Sequence, residues 1–286
     1  MMTYTRWALV VLAMGCDGGK DTDPPVDSDT EVSEETDVDT EVEDDTEVED
    51  DTEVEVDTDL LPCAHPAFGG VEPVVWFGLQ DAGTASIGDA TGNHNGDPTG
   101  AVTAVTAKVG NGAEFSSSDS AVNATPPFSA GAFTWAGWVR LDTNPSQFAA
   151  IAGLGAGPEA YTGWLLVVTA TGVPTLFTEG GTAETEIGTA ATAPLTLGAW
   201  THLAVTFDAG DVQVYVNGTS VTSADLDYPT MLAGSNSYWL ASDPNDETRQ
   251  FDGALDEVGL WDEALSAGDI EALVIDGNCG LSSLSL

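Results

Sequence analysis

Beyond Cys63 the chain breaks into short runs rich in Val, Thr, Trp and Phe, cut off repeatedly by Gly, Pro or Asn-Gly. Runs this short carry no helical periodicity, and β-branched and aromatic residues favour a pleated, half-buried backbone. Strands are expected over Val74–Leu79, Ala132–Leu141, Gly163–Thr169, Thr175–Thr178, Thr201–Phe207, Val212–Val216 and Ala254–Trp261. The segment DVQVYVNGTSV reads as a hairpin, because Asn217-Gly218 suits a type I′ turn. Helical spacing is confined to SAGDIEALVI, with Ser266 as N-cap, Asp269 three residues on, and Ile270, Leu273 and Val274 at helical intervals. Many strands and one short helix predict a single all-β sandwich of two antiparallel sheets. A domain of this size buries roughly 70% of its unfolded surface, which supplies a sufficient core.

The charge balance limits what such a domain can bury and bind. The 286 residues hold 48 Asp plus Glu against 5 Lys plus Arg, a formal net charge of −43. So acidic a chain repels phosphate backbones, which excludes nucleic acid as a partner and leaves cations, neutral glycans or cationic surfaces. Beyond Leu60, 26 acids face only Lys108, Arg140 and Arg249, so a buried carboxylate there has few ion-pair partners within the chain.

The chain opens with MMTYTRWALVVLAMGC, in which Arg6 forms a positive flank and Trp7 to Met14 a short apolar run. That run is too short to span a bilayer and has the form of an export signal over residues 1–15. Small residues before Cys16 resemble the lipobox of bacterial lipoproteins, which implies lipidation at Cys16; ordinary secretory cleavage at the same bond is the alternative. Residues 16–60 are then an acidic linker, repeating hexads such as DTEVED with Val as the recurrent apolar residue. One Val per hexad builds no core face and the like charges repel, so a disordered spacer is expected. Its carboxylates also offer loose, multivalent oxygen ligation to calcium. Export permits disulfides, and Cys63 and Cys279 bracket the folded part. A bridge between them would contribute on the order of 5 kcal/mol in the chain-entropy account. Two free thiols are the alternative.

The segments GDATGNHNGDPTG, AKVGNGAEF, FTWAGWVRL, GAWTHLAVTFDAGDVQVYVNGTSV and FDGALDEVGLWDEALSAGDIEAL resemble, in order and spacing, laminin-G-like jelly-roll domains of the concanavalin A-like lectin/glucanase superfamily. The last segment also resembles the pentraxin C-terminus. The resemblance implies a curved jelly roll over residues 61–280, with the chain ends close together and 281–286 as a tail. It further implies a structural Ca2+ held by Asp256 of the last strand, with carbonyls from near Val75–Leu79 and Ala113–Ser116. Family members often carry an acidic pair after the first strand; this chain has Gln80 and Asp81 there. The loop SDPNDETR offers Asp243, Asn245 and Asp246 for a second calcium.

Glycanases of the superfamily carry Glu-x-Asp-x-x-Glu on one strand, where alternation puts the acids on one face. No expected strand beyond Leu60 has that spacing. Strict alternation over LDEVGLW puts Asp256 and Glu257 on opposite faces, with Asp256 beside Val258 and Leu260. Asp262 and Glu263 fall in the following turn. His65, His94 and His202 are scattered, and His202 reads as a structural histidine inside a strand. No catalytic set is therefore expected. Asp89 and Asn93 read as turn-forming residues. For recognition, Tyr161, Tyr228, Tyr238 and Trp239 are candidates to stack on sugar rings, whereas Trp135, Trp138 and Trp200 sit in strand patterns and read as core. The expected function is non-catalytic binding of a glycan or cell-surface protein, displayed from a bacterial membrane by its lipid anchor. The alternatives are a structural component of the envelope without a sugar ligand and a degenerate glycanase.

Overall fold

A computed structural model describes residues 71–116, 119–125, 131–155, 163–179, 186–226, 237–243, 246 and 248–276. The strands are β1 (Val75–Phe77), β2 (Asp97–Thr99), β3 (Val102–Thr106), β4 (Asn111–Phe115), β5 (Ala121–Ala124), β6 (Ala132–Leu141), β7 (Phe148–Leu154) and β8 (Trp164–Thr169). They continue with β9 (Pro174–Glu179), β10 (Glu186–Ala190), β11 (Trp200–Asp208), β12 (Asp211–Val216), β13 (Thr219–Asp225), β14 (Tyr238–Leu240) and β15 (Gly253–Trp261), before the helix α1 (Ala267–Asp276). The signal, linker and tail segments, together with His65, Cys16, Cys63 and Cys279, lie outside the described residues. Among the described residues no helix is long and apolar enough to cross a membrane.

Two antiparallel sheets stack face to face. One has eight strands in the order β13-β12-β11-β6-β15-β4-β3, with β1 also paired to β15. The other has seven in the order β10-β9-β8-β7-β14-β5-β2. Alternation sends Phe133, Trp135, Val139, Leu203, Val205 and Phe207 inward from the eight-stranded sheet to meet Trp164, Leu166, Tyr238 and Leu240 of the other. Phe133 stacks on Trp164 with ring centroids 4.9 Å apart. The β12–β13 hairpin turns at Asn217 and Gly218, both at positive φ (50° and 80°), as a type I′ turn requires.

The helix starts where its cap predicts. Asp269 N–H donates to Ser266 Oγ, and Ser266 N–H and Oγ–H donate back to Asp269 Oδ2. Its apolar face, with Leu265, Ile270 and Leu273, covers Trp76, Ala136, Ala204, Tyr215 and Trp261 on the outer face of the eight-stranded sheet. Trp76 and Trp261 meet edge to face, with centroids 5.9 Å apart, directly above Gly259.

The last strand departs from strict alternation. Asp256 pairs with Trp138 but Gly259 pairs with Ala136, so β15 carries one residue more than β6 over this stretch. Glu257 takes up the slip at φ 48°. On the other edge of β15, Gly253–Leu255 pair with β4 whereas Val258–Leu260 pair with β1. The sheet therefore splits at Asp256–Glu257. The bulge also reverses the expected facing: Leu255, Val258 and Leu260 enter the core, while Asp256 and Glu257 both emerge on the outer face. Likewise the first strand stops at Phe77 rather than Leu79, because Leu79 adopts φ 57°.

A Cβ built on Gly259 would lie 2.4 Å from the Trp261 ring and 3.0 Å from that of Trp76. Gly259→Ala is expected to cost about 1–3 kcal/mol through overpacking, measured by urea unfolding. A loss below about 0.5 kcal/mol, the range of neutral surface changes, would contradict this packing.

Candidate functional site

The split in the eight-stranded sheet gathers the buried carboxylates. Asp256 is 0% exposed and Glu257 5%. Val109 N–H donates to Asp256 Oδ2 at 2.9 Å, and Trp76 Nε1–H donates to Glu257 Oε2 at 2.8 Å. Asp256 Oδ1 accepts no hydrogen bond among the described residues. Burial pushes the Asp256 carboxyl up to about 8; the Val109 N–H opposes that rise and the adjacent Glu257 carboxylate adds to it. Gln80 closes the open end, its Nε2 donating to Gly78 O at 3.1 Å and Val109 O at 2.6 Å while its Oε1 accepts from Asn111 N–H at 2.8 Å.

On the same outer face, the Trp138 ring lies in register between Asp256 and His202. The Lys108 ammonium sits 4.3 Å from its centroid. His202 is buried; its N–H donates to Asn217 Oδ1, its Nδ1 has no partner among the described residues, and burial pulls its pKa down to about 4. Burial thus pushes both Asp256 and His202 toward their neutral forms.

The calcium positions implied by the resemblance do not fit the residues present. At Asp256, the carbonyls of Gly78 and Val109 each accept from the Gln80 amide, and the carboxyl accepts the Val109 N–H on Oδ2. In the second loop, Asp243 is 1% exposed and lies 2.7 Å from Arg249 Nη1, while Asp246 Oδ2 lies 3.2 Å from Arg249 Nε. The Thr248 hydroxyl, foremost, then the Thr248 N–H and the Arg249 cation hold the Asp246 pKa low against partial burial. The cation in that loop is a guanidinium. Asn245 lies outside the described residues. Asp89 serves its turn as expected: burial pushes its carboxyl up, but the Thr91 hydroxyl and the N–H groups of Trp76, Thr91 and His94 together hold it lower.

The stacking candidates divide sharply. Tyr161 and Tyr228 lie outside the described residues. Tyr238 is 0% exposed and its hydroxyl accepts from Trp135 Nε1–H at 2.9 Å, so it is core and reaches no ligand. Trp239, one residue on, points the other way, onto the outer face of the seven-stranded sheet. It lies in a register row that crosses that sheet: Asn123, Trp239, Gly153, Leu165 and Phe177. Their neighbours Val122, Tyr238, Leu154, Leu166 and Leu176 all enter the core, which fixes the row as outward. Trp239 Nε1 itself is buried and has no acceptor among the described residues. Beside the row, Phe148 lies 5.9 Å from Phe177 and beneath the Arg249 guanidinium, 4.2 Å from its centroid. Sequence reasoning missed Leu165, Phe177 and Phe148 as surface groups, because only register places them beside Trp239. Trp135 and Trp138 are buried as expected, whereas Trp200 is half-buried, with Arg140 5.5 Å from its ring.

A laminin G family model, described as the Concanavalin A-like lectin/glucanases superfamily, matches residues 114–271. Among curated proteins no sequence matches. The chain is similar in fold to the binding domain of Paraclostridial Mosquitocidal Protein 1, at 16% identity and TM-score 0.60, with 72% of this chain and 52% of that one covered. It is also similar to domain 4 of AbnA, a GH43 extracellular arabinanase from Geobacillus stearothermophilus, solved with arabinotriose (22% identity, TM-score 0.56, 71% and 98% covered). A third is the binding domain of botulinum neurotoxin DC in complex with rat synaptotagmin II (13% identity, TM-score 0.56, 72% and 51% covered). The alignment thus spans about half the length of the toxin binding domains.

The buried pair sets a pH signature. Between its unfolded pKa near 3.8 and its folded value near 8, Asp256 binds a proton in the folded state that the unfolded chain has lost. Stability therefore falls as pH rises, by up to about 1.4 kcal/mol per pH unit. His202 acts oppositely between 6.5 and about 4, where the unfolded chain holds the extra proton. The two slopes offset each other below 6.5, and Asp256 acts alone from there to about 8. Wild-type stability by urea unfolding is expected to fall over that upper window, and the slope is expected to flatten in Asp256→Asn. Equal slopes in both proteins would contradict this assignment.

Proposed function

This chain belongs to the laminin-G-like family of the Concanavalin A-like lectin/glucanases superfamily, and on that premise we propose a non-catalytic binding module for an oligosaccharide. The observation that carries the reading is the outward row Asn123–Trp239–Gly153–Leu165–Phe177. An outward-facing indole suits the apolar C–H face of a sugar ring, and the row runs across the strands as an extended chain ligand would. The helix covers the outer face of the other sheet, whereas Asn123, Trp239, Leu165 and Phe177 are half-buried and keep part of their surface open. The arabinotriose bound by a similar domain supports a sugar as ligand.

Turnover of the sugar has no support in the carboxylates of the last strand. A glycosidase needs two carboxyl groups that reach opposite sides of a glycosidic bond. Asp256 and Glu257 are buried, hydrogen-bonded to Val109 and Trp76, and sit on the other sheet. A protein ligand is the second reading, favoured by the apolar Leu165, Phe177 and Phe148 beside Trp239 and by the synaptotagmin complex of a similar fold. We further propose that the module is exported and displayed from the membrane, with Cys16 as lipid anchor and residues 16–60 as spacer.

Binding to an oligosaccharide array is expected for the full chain. Trp239→Ala is expected to weaken it about tenfold or more, which corresponds to about 1.4 kcal/mol, with melting unchanged. Tyr238→Phe is expected to do the reverse. It leaves Trp135 Nε1 without its acceptor, costs about 1–3 kcal/mol of stability, and spares binding. Silence across the array, or binding that survives Trp239→Ala, would contradict the sugar reading. In that case capture of a protein ligand sensitive to Trp239→Ala supports the second reading.

A further inference from the structure

The geometry points to the Gln80 side-chain amide as the group that stands in for a divalent cation at the split of the eight-stranded sheet, so that this domain folds without calcium. Three segments meet there: the end of β1, the β3–β4 turn and the bulge of β15. Something must bridge their backbone oxygens, because β1 and β4 pair with different halves of β15 and leave a gap between them. A calcium ion bridges such oxygens by taking six to eight ligands at once. Gln80 Nε2 bridges them with two hydrogen bonds, to Gly78 O at 3.1 Å and Val109 O at 2.6 Å. Its Oε1 faces the opposite way and accepts from Asn111 N–H at 2.8 Å, which fixes the amide in that sense.

The surrounding backbone is shaped to this amide. Gly110 lies at φ 58°, and a Cβ there would fall 2.5 Å from Gln80 Oε1. The donors that point into the gap are N–H groups: Val109 N–H on Asp256 Oδ2 and Trp76 Nε1–H on Glu257 Oε2. Among the described residues no group of three or more His, Cys, Asp or Glu could hold a metal ion. A Cβ built on Gly78 would lie 3.7 Å from Glu257 Oε1 and 3.8 Å from Gln80 Cγ, in ordinary contact with both.

A single isosteric change tests the assignment. Gln80→Glu removes both amide donors, frees Gly78 O and Val109 O, and adds a carboxylate beside Glu257 and Asp256, which converts the clasp into an oxygen-only set. Thermal melting of the full chain is compared in chelator and in millimolar calcium. The acidic linker does not confound this readout, because ligand that binds folded and unfolded chains equally leaves the midpoint unchanged. The wild type is expected to melt within about 1 °C of the same temperature in both buffers, and Gln80→Glu to gain about 5 °C or more in calcium. A wild-type midpoint that falls in chelator and recovers in calcium would overturn the proposal. So would a folded Gln80→Glu protein indifferent to calcium. Gln80→Glu that folds in calcium alone supports it. If that variant folds in neither buffer, the wild-type comparison decides.

Discussion

The one-residue slip in β15 at Asp256–Glu257 is the constraint from which the rest of the eight-stranded sheet takes its form. It lets one strand serve two partners on the same edge, β4 below the slip and β1 above it. It also turns two consecutive acids onto one face, and Glu257 at φ 48° stores backbone strain of about 1–3 kcal/mol there. Leu79 at φ 57° adds a second strained residue at the end of β1, the one that aims Gln80 into the gap. Strain of this kind persists only where the surroundings over-determine it. Here they do so with Val109, Trp76 and Gln80 as donors and with Val258 and Leu260 locked in the core.

The scarcity of basic residues explains how the buried acids are satisfied. Only Lys108, Arg140 and Arg249 are present beyond Leu60, and each of the two arginines carries more than one task. Arg249 neutralises Asp243 and Asp246 while covering Phe148, and Arg140 joins Glu114 and Asp142 while facing Trp200. Lys108 caps Trp138 beside Asp256. Asp256 makes no ion pair among the described residues; burial pushes it toward its neutral form and a backbone N–H holds it. The eight-stranded sheet carries the helix and the buried polar cluster, and the seven-stranded sheet presents Trp239 and its row.

Much of the fold was legible in the sequence, because strands such as β6 and β12 announce themselves by β-branched and aromatic alternation, and Asn217-Gly218 and Ser266-x-x-Asp269 mark a turn and a cap. Strands built from AVNA, DPT or FAAIAGL carry weak local preference, and tertiary pairing alone makes them strands. The bulge had a readable signal: the core residues Leu255, Val258 and Leu260 are spaced three and then two apart, which strict alternation forbids. Read as a continuous strand, that segment assigns Asp256 to the wrong face. Tyr238 and Trp239 posed the opposite difficulty. Adjacent aromatics in a strand face opposite ways, and only the core membership of Tyr238 tells which of the two is outward. The Gln80 amide, the Asp243–Arg249 pair and the row beside Trp239 join residues distant in the chain or set by register, so periodicity cannot reveal them.

The most direct test of the clasp at the split sheet is a crystal structure of the full chain grown in calcium. The account predicts Gln80 Nε2 within hydrogen-bond distance of both Gly78 O and Val109 O, Val109 N–H on Asp256, and no cation between them. An ion coordinated by those two carbonyls and the Asp256 carboxylate, with the Gln80 side chain displaced, would contradict it.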